Sequence, residues 1–235
     1  MNSSPHPDGG GQIVPRHPAS IIPPPSGGMY LFDFDGTVAD TRTVAHGILN
    51  DMSREFGFKE LPDEDLETAR NMSIREFIRH LGIKNWRVPM IAKRGLQLLH
   101  ERIDRIDPIA GMPEVLAELY ERGNRIGILT SNSEANVTAF LRRHDLPYFK
   151  FIRTSSKLFG KAREMKKILK HEKLIPSSVL YIGDETRDIE AAKESGLRMA
   201  AVTWGYNSPE ALAAMRPDHL ITSPEEILRI REAKT

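Results

Sequence analysis

The sequence has no cysteine, almost no net charge and no long apolar run. Without cysteine, the chain forms no disulfides and offers no thiolate metal ligands, which is typical of an intracellular protein. The 33 basic and 32 acidic residues nearly cancel, so the sequence indicates no general attraction to nucleic acid or to a membrane surface. No apolar run approaches the roughly 18 to 20 residues that cross a bilayer. These absences predict a soluble, cytoplasmic protein with no nucleic-acid or membrane partner.

The first 28 residues are dominated by Pro, Gly, Ser and His. Such a composition buries too little apolar surface to offset the chain entropy lost on folding. The segment also lacks the basic start and the continuous apolar stretch of a secretory signal. We therefore expect residues 1–28 to be a flexible tail.

From residue 29 onward, short apolar runs alternate with segments of helical periodicity. The short runs are rich in β-branched and aromatic residues, as strands are, and the longer segments carry apolar stripes three and four positions apart. This alternation predicts an α/β fold with a Rossmann-like parallel sheet covered by helices on both faces. The predicted strands are residues 30–34, 125–130, 149–154, 179–183, 198–204 and 219–222.

One stretch interrupts the alternation, because residues 43–107 have helical periodicity throughout, with Ser73 as a predicted helix N-cap. We predict that this stretch is an all-helical cap subdomain. It is inserted into a core formed by residues 29–42 and 108–235. The core ends in SPEEILRI, whose capping pattern predicts a closing helix.

Carboxylates follow two of the predicted strands. Asp33 and Asp35 end the first strand in MYLFDFDGTVADT, and Asp184, Glu185 and Asp188 follow VLYIG in GDETRDIEAA. Taken singly, Asp35 or Asp184 could be a helix N-cap. Because the carboxyl ends of parallel strands share one sheet edge, however, we expect these acids to converge. Like charges at short range need a cation, and oxygen ligands favour Mg²⁺.

Further polar residues at this edge suit an anionic ligand. Thr130, Ser131 and Asn132 end another strand before a helix and offer hydroxyls, an amide and backbone N–H groups. Lys161 opens a further helix and supplies a positive charge. Alternatively, Thr130 and Ser131 are an N-capping pair and Lys161 is a solvated lysine. A carboxylate-bound metal beside anion-binding groups is typical of phosphate chemistry.

These four segments resemble, in order, the motifs of the haloacid dehalogenase superfamily of aspartate-nucleophile phosphohydrolases. DFDGT at residues 33–37 resembles the first motif, Thr130 the second and Lys161 the third. The fourth is the GD pattern that starts at Gly183. Lys157, four residues before Lys161, is the alternative third-motif lysine. The resemblance extends over nearly all of the chain except the tail.

The resemblance implies a role for each motif residue. Asp33 attacks phosphorus and forms an aspartyl-phosphate, while Asp35 protonates the leaving alkoxide and then activates the hydrolytic water. The Asp33 carboxylate, the Asp35 main-chain carbonyl and the Asp184 carboxylate hold Mg²⁺, and Asp188 supports the site. The residues implied to bind the phosphoryl group or the substrate around it are Gly36, Thr37, Thr130, Ser131, Asn132 and Lys161.

The helical insertion resembles the cap of relatives such as phosphoglycolate phosphatases and β-phosphoglucomutases. In those enzymes the cap closes over the site and contacts the leaving group, which implies a small phosphorylated metabolite as substrate. Arg75 is the main candidate for that contact, with Arg79 and His80 beside it; the alternative is that they are solvated helix faces. Residues 71–73 are a candidate specificity loop. Trp204 is expected to pack within a closing loop.

The predicted activity is Mg²⁺-dependent hydrolysis of small phosphate monoesters. Asp35 argues against dehalogenation, because a halide leaves without a proton. A phosphomutase of the β-phosphoglucomutase type is the main alternative, since no motif decides whether water or a second hydroxyl receives the phosphoryl group. A non-catalytic phosphate-binding protein is a third hypothesis, because a fold can persist without its chemistry.

Overall fold

The computed structural model of the chain describes residues 28–155 and 160–230. The predicted tail, except Gly28, and the alternative lysine Lys157 lie outside these residues. Within the described ranges, no helix combines the length and the apolar character needed to cross a membrane.

A six-stranded parallel sheet forms the centre of the fold, with strand order β3-β2-β1-β4-β5-β6. Strand β1 pairs with β2 on one side and with β4 on the other, and all its residues are buried. The six predicted strands are confirmed, and their ends differ from the prediction by at most two residues. The strands are β1 Met29–Phe32, β2 Arg125–Thr130, β3 Phe151–Thr154, β4 Val179–Gly183, β5 Arg198–Val202 and β6 His219–Ile221.

A loop follows β1, and residues 43–107 then form helices and 3₁₀ turns and contain no strand. Helix α1 packs against α4. Ser73 caps α3 as predicted, because its side chain accepts a hydrogen bond from the Glu76 backbone while the Glu76 side chain accepts one from Ser73. The helices of this stretch are α1 Arg42–Phe56, α2 Leu66–Arg70, α3 Ile74–His80 and α4 Val88–His100, with 3₁₀ turns at Asp63–Asp65, Asn85–Arg87 and Ile103–Arg105.

The core helices cover both faces of the sheet, as predicted. On one face, Phe32 of β1 belongs to the same apolar cluster as Phe140. On the other face, its neighbour Leu31 clusters with Met165 and Ile189, because successive strand residues point to opposite faces. The core helices are α5 Met112–Glu121, α6 Glu134–Arg143, α7 Lys161–Glu172, α8 Thr186–Ser195 and α9 Pro209–Ala214.

The predicted closing helix begins where expected but is a 3₁₀ helix, Pro224–Arg229. Its capping box joins Ser223 and Glu226, as the SPEE pattern predicts. The element spans six residues, and 3₁₀ geometry is common in such short pieces.

Candidate active site

A cavity of about 670 Å³ lies between the carboxyl edge of the sheet and helices α1–α4. Polar side chains from the sheet edge form its floor, and largely apolar side chains from the helical stretch form the rest of its wall. The floor residues are Asp33, Asp35, Ser131, Glu185 and Arg187; the wall residues include Ile48, Leu66, Ile74, Phe77, Leu96 and Leu99.

Asp33 and Asp188 share one buried ammonium group. Lys161 Nζ lies 2.6 Å from Asp33 Oδ2 and 2.7 Å from Asp188 Oδ1. Asp33 follows β1, Asp188 lies in the first turn of α8, and Lys161 begins α7. The alternative that Lys161 is a solvated lysine is wrong, since only 3% of the residue is exposed. The structure thus brings residues of three predicted motifs together.

The charges of this group shift one another. Burial raises the pKa of Asp33 to about 7, although the charge of Lys161 lowers it. Burial by itself would lower the pKa of Lys161, but the carboxylates of Asp188 and Asp33 outweigh it and raise that pKa overall. The lysine is therefore a fixed positive charge beneath the cavity.

Asp184 is fully buried beside this group, and both of its carboxylate oxygens already have donors. Thr37 Oγ1 donates to Oδ1 at 2.8 Å and the Tyr206 backbone N–H donates to Oδ2 at 2.7 Å. Burial and the negative charges of Glu185 and Asp33 raise the pKa of Asp184 well above its usual range. The hydroxyl of Thr37 thus contacts Asp184, and the predicted binding of Thr37 to the substrate stays a prediction.

Glycines make room for the Asp184 carboxylate. A Cβ atom on Gly36 would lie 2.4 Å from Asp184 Oδ2, and one on Gly205 would lie 2.2 Å from it. Gly36 also has a φ of +73°, which few other residues adopt. Asp184 is not a helix N-cap, because Glu185 holds that position on α8.

The acids that lie closest together fit a hard cation. Oxygen atoms of Asp33, Glu185 and Asp188 all lie within 4.8 Å of one another, and carboxylate oxygens are the ligands that Mg²⁺ prefers. The predicted ligand set contained Asp33 and Asp188 but had Asp35 and Asp184 in place of Glu185. Both predicted residues adjoin the cluster, and their part in binding a metal stays a prediction.

Asp35 faces the cavity and is held by one amide. The Asn132 side-chain Nδ2 donates to both carboxylate oxygens of Asp35, at 3.0 Å and 3.1 Å. The surrounding walls withdraw Asp35 from bulk water, and this burial raises its pKa to about 6, although the hydrogen bond from Asn132 lowers it. A carboxyl group with such a pKa can both donate and accept a proton near neutral pH.

Thr130 ends β2 and Ser131 follows it, but neither caps α6. Ser133 is the N-cap of that helix, so the N-capping alternative is wrong. The hydroxyl oxygen of Thr130 accepts a hydrogen bond from the backbone of Asn132 at 2.9 Å. Ser131 lines the cavity, where its hydroxyl accepts a 3.4 Å hydrogen bond from Arg187.

Arg187 is a site residue that the sequence analysis missed. Its Nε donates to Glu185 Oε2 at 2.6 Å, and both side chains line the cavity. Burial lowers the pKa of Arg187, but the charges of Glu185 and Asp188 outweigh it and raise that pKa overall. A basic residue between two motif acids in GDETRD was the available signal.

The predicted specificity loop docks on the loop that follows β5. Asn207 Nδ2 donates to the carbonyls of Arg70 and Met72 at 2.8 Å and 3.0 Å. Ser208 Oγ donates to Asn71 Oδ1 at 2.5 Å. Of the predicted loop, Met72 lines the cavity, whereas Ser73 caps α3.

The predicted substrate contacts of the cap lie outside the cavity wall, whereas Trp204 packs as predicted. Arg75 and Arg79 are exposed on α3 and are not among the residues that line the cavity, so their contact with a substrate stays a prediction. His80 also lies outside the cavity wall, where its Nε2 is 3.0 Å from Lys59 Nζ. Trp204 packs against the core, as predicted, and its Nε1 donates to the Thr37 carbonyl at 3.2 Å.

Comparisons with known proteins agree with this architecture. A family model described as haloacid dehalogenase-like hydrolase matches residues 30–202. The phosphoglycolate phosphatase of Synechococcus elongatus is 34% identical over 200 residues, which cover 85% of this chain and 94% of that protein.

Solved structures share the fold. A haloacid dehalogenase-like family hydrolase from Streptococcus pneumoniae matches with a TM-score of 0.71 at 21% identity, covering 86% of this chain and 97% of that chain. CbbY from Rhodobacter sphaeroides, solved in complex with phosphate, matches with a TM-score of 0.65 at 21% identity, covering 85% of this chain and 95% of that chain.

Proposed function

The chain belongs to the haloacid dehalogenase-like hydrolase family and is a phosphatase, and on that premise we propose that it hydrolyses small phosphate monoesters through an aspartyl-phosphate on Asp33, with Mg²⁺ as cofactor. The observation that carries this proposal is the arrangement around Asp33. Its carboxylate reaches the cavity floor while Lys161 holds one of its oxygens.

In the first step, a carboxylate oxygen of Asp33 attacks phosphorus and the bond to the leaving alkoxide breaks. Lys161 fixes the direction of the Asp33 carboxylate, and the Phe34 backbone N–H donates to its other oxygen at 2.8 Å. An attacking group that is already oriented avoids the entropic cost of finding its position during the reaction.

Asp35 handles the protons of both steps. It gives a proton to the departing alkoxide and then takes one from the water that hydrolyses the aspartyl-phosphate. General acid-base help of this kind is worth ~10²- to 10⁴-fold in rate. The raised pKa of Asp35, about 6, suits both directions of transfer.

The acids at the floor would hold the cofactor. Asp33, Glu185 and Asp188 offer the closest oxygens, and Asp184 lies directly beside them. When bound, Mg²⁺ would offset the negative charge of the phosphoryl group and of these carboxylates. Among the described residues, Lys161 and Arg187 are the cations that pair with these acids, and a bound metal ion would add the positive charge that several carboxylates at short range need.

The substrate follows from the cavity and the relatives. A cavity of about 670 Å³ beneath helices α1–α4 admits a small metabolite. The relative from Synechococcus elongatus is named a phosphoglycolate phosphatase, so phosphoglycolate is the first substrate to test.

The test measures phosphate release from p-nitrophenyl phosphate and phosphoglycolate, with Mg²⁺ and after chelation by EDTA. We expect turnover that needs Mg²⁺ and that falls by at least ~10³-fold in Asp33→Asn, which lacks the nucleophile. Asp40→Asn is the matched control, because Asp40 is an exposed acid that does not line the cavity.

Several outcomes would contradict the proposal. A wild-type protein that binds phosphate but turns over neither substrate would be the non-catalytic binder. Transfer of phosphate between hydroxyls of a sugar phosphate, without release, would indicate the mutase. Equal activity of the wild type and Asp33→Asn would exclude Asp33 as the nucleophile.

A further inference from the structure

A chain of hydrogen bonds runs from Asp35 to the last turn of helix α4. Asn132 Nδ2 donates to Asp35, and Asn132 Oδ1 accepts from Asn136 Nδ2 at 2.9 Å. Asn136 then meets α4 twice: its Nδ2 donates to the Leu96 carbonyl at 3.1 Å, and its Oδ1 lies 2.7 Å from His100 Nδ1. Both asparagines are almost fully buried, at 2% and 1% exposure.

Backbone groups fix which way each amide points. The Ser133 backbone N–H, which can only donate, lies 2.7 Å from Asn132 Oδ1. The amino group of Asn132 must therefore face Asp35. The Leu96 carbonyl can only accept, so it must meet the amino group of Asn136. The Asn136 oxygen then faces His100, whose Nδ1 has to carry the proton.

The same turn of α4 also forms part of the cavity wall. Leu96 and Leu99 line the cavity, while Leu96 and His100 hold Asn136. A displacement of α4 from α6 would break both of its bonds to Asn136 and leave the Asn136 amide free to rotate away from the Asn132 oxygen. The direction of the Asp35 carboxyl group thus depends on where α4 sits.

We propose that Asn132 and Asn136 form a relay that orients the Asp35 carboxyl group for proton transfer and makes that orientation depend on the docked position of α4. The relay rests on the proposed function, in which Asp35 protonates the leaving group. Asn136 is a positioning residue, since it touches neither the substrate nor the reacting atoms. His100 secures the far end of the relay.

Two substrates that differ in their leaving group can distinguish this orienting role of Asn136 from a purely structural one. An alkoxide needs a proton as it departs, whereas p-nitrophenolate departs without one at neutral pH. The ratio kcat/KM covers the steps up to the departure of the leaving group. A misdirected Asp35 therefore lowers kcat/KM for an alkyl phosphate much more than for p-nitrophenyl phosphate, while general damage to the site lowers both.

The experiment compares kcat/KM for p-nitrophenyl phosphate with that for phosphoglycolate or glycerol phosphate, whichever the wild type uses faster. In Asn136→Ala we expect kcat/KM for the alkyl phosphate to fall by at least ~10-fold. General acid catalysis is worth ~10²- to 10⁴-fold in rate, and a misdirected acid loses part of that acceleration. The p-nitrophenyl phosphate value should change less than about twofold. His100→Ala should show the same selective loss, and His100→Asn, which restores a donor, should recover it.

His171→Ala is the matched control, because His171 is an exposed histidine on α7 away from the cavity. Equal losses on both substrates in a folded Asn136→Ala, or no loss at all, would overturn the relay. If Asn136→Ala does not fold, the His100 variants decide, and identical values in His100→Ala and the wild type would then overturn it. A wild type that turns over neither substrate would instead overturn the proposed function.

Discussion

At the scale of the single residue, one ammonium group compensates two buried carboxylates. Removing one partner of a buried ionic group typically costs ~3 to 5 kcal/mol, because the remaining charge stays buried without a partner. We expect Lys161→Met, which keeps the volume but not the charge, to lose about that much unfolding free energy at pH 8. Urea unfolding without divalent ions measures it. Lys166→Met is the control, since Lys166 pairs with Glu194 at the surface, where such pairs are worth about 0 to 1 kcal/mol.

The pKa of Asp33 determines how the stability of Lys161→Met changes with pH. Its pKa is raised to about 7 although Lys161 lowers it, so the pKa rises further when Lys161 is replaced. The folded variant then binds protons more readily than the unfolded chain, and its stability increases as the pH falls from 8 towards 5. The deficit of Lys161→Met should therefore shrink at pH 5. A deficit that grows over the same range would contradict the assignment of Lys161 as the balancing charge.

At the scale of the element, the loop after β5 holds two parts of the molecule in place. Its Tyr206 backbone binds the Asp184 carboxylate, and its Asn207 side chain binds the loop between α2 and α3. Among the glycines that the structure describes, Gly205 has the least room for a side chain, because an added Cβ would lie 2.2 Å from Asp184. The position of the Asp184 carboxylate therefore depends on a glycine that lies outside the predicted motifs.

We expect Gly205→Ala to cost about 1 to 3 kcal/mol in unfolding free energy, as overpacked sites do, and to weaken activation by Mg²⁺ through the displaced Asp184. Thermal unfolding and the Mg²⁺ dependence of turnover measure the two effects. Gly47→Ala is the matched control: Gly47 lies within α1, an added Cβ would lie 3.9 Å from the nearest atom, Arg102 Nη1, and alanine favours the helix. Equal behaviour of the two variants would contradict the steric argument.

At the scale of the whole molecule, helices α1–α4 cover the cavity, and their apolar residues continue the core cluster on one face of the sheet. A phosphate group on a large protein would have to reach the floor past these helices. We expect free O-phosphoserine to be hydrolysed with a kcat/KM at least about tenfold above that for phosphoserine in casein, a difference of about 1.4 kcal/mol. The reacting group is the same in both, so phosphate release measures access alone. Equal values would contradict a covered site.

The sequence by itself determined the order of the elements and the identity of the chemical groups. Strand and helix periods are local patterns, so the six strands and the helical stretch after β1 could be read directly. Residues at the carboxyl ends of parallel strands share an edge, which brought Asp33, Thr130 and Asp184 to one region. The closing element was located correctly, but its 3₁₀ form depends on packing.

Only the tertiary structure decided which acid meets which partner. Asp184 binds Thr37, which lies 147 residues away in sequence, and Asn132 binds Asp35, 97 residues away. Glu185 lies close enough to Asp33 and Asp188 to share a cation with them, and the half-buried Arg187 pairs with Glu185. Neighbouring residues from other strands and helices determine the direction of a side chain at a strand end. Because these neighbours are distant in sequence, a local sequence pattern does not reveal them.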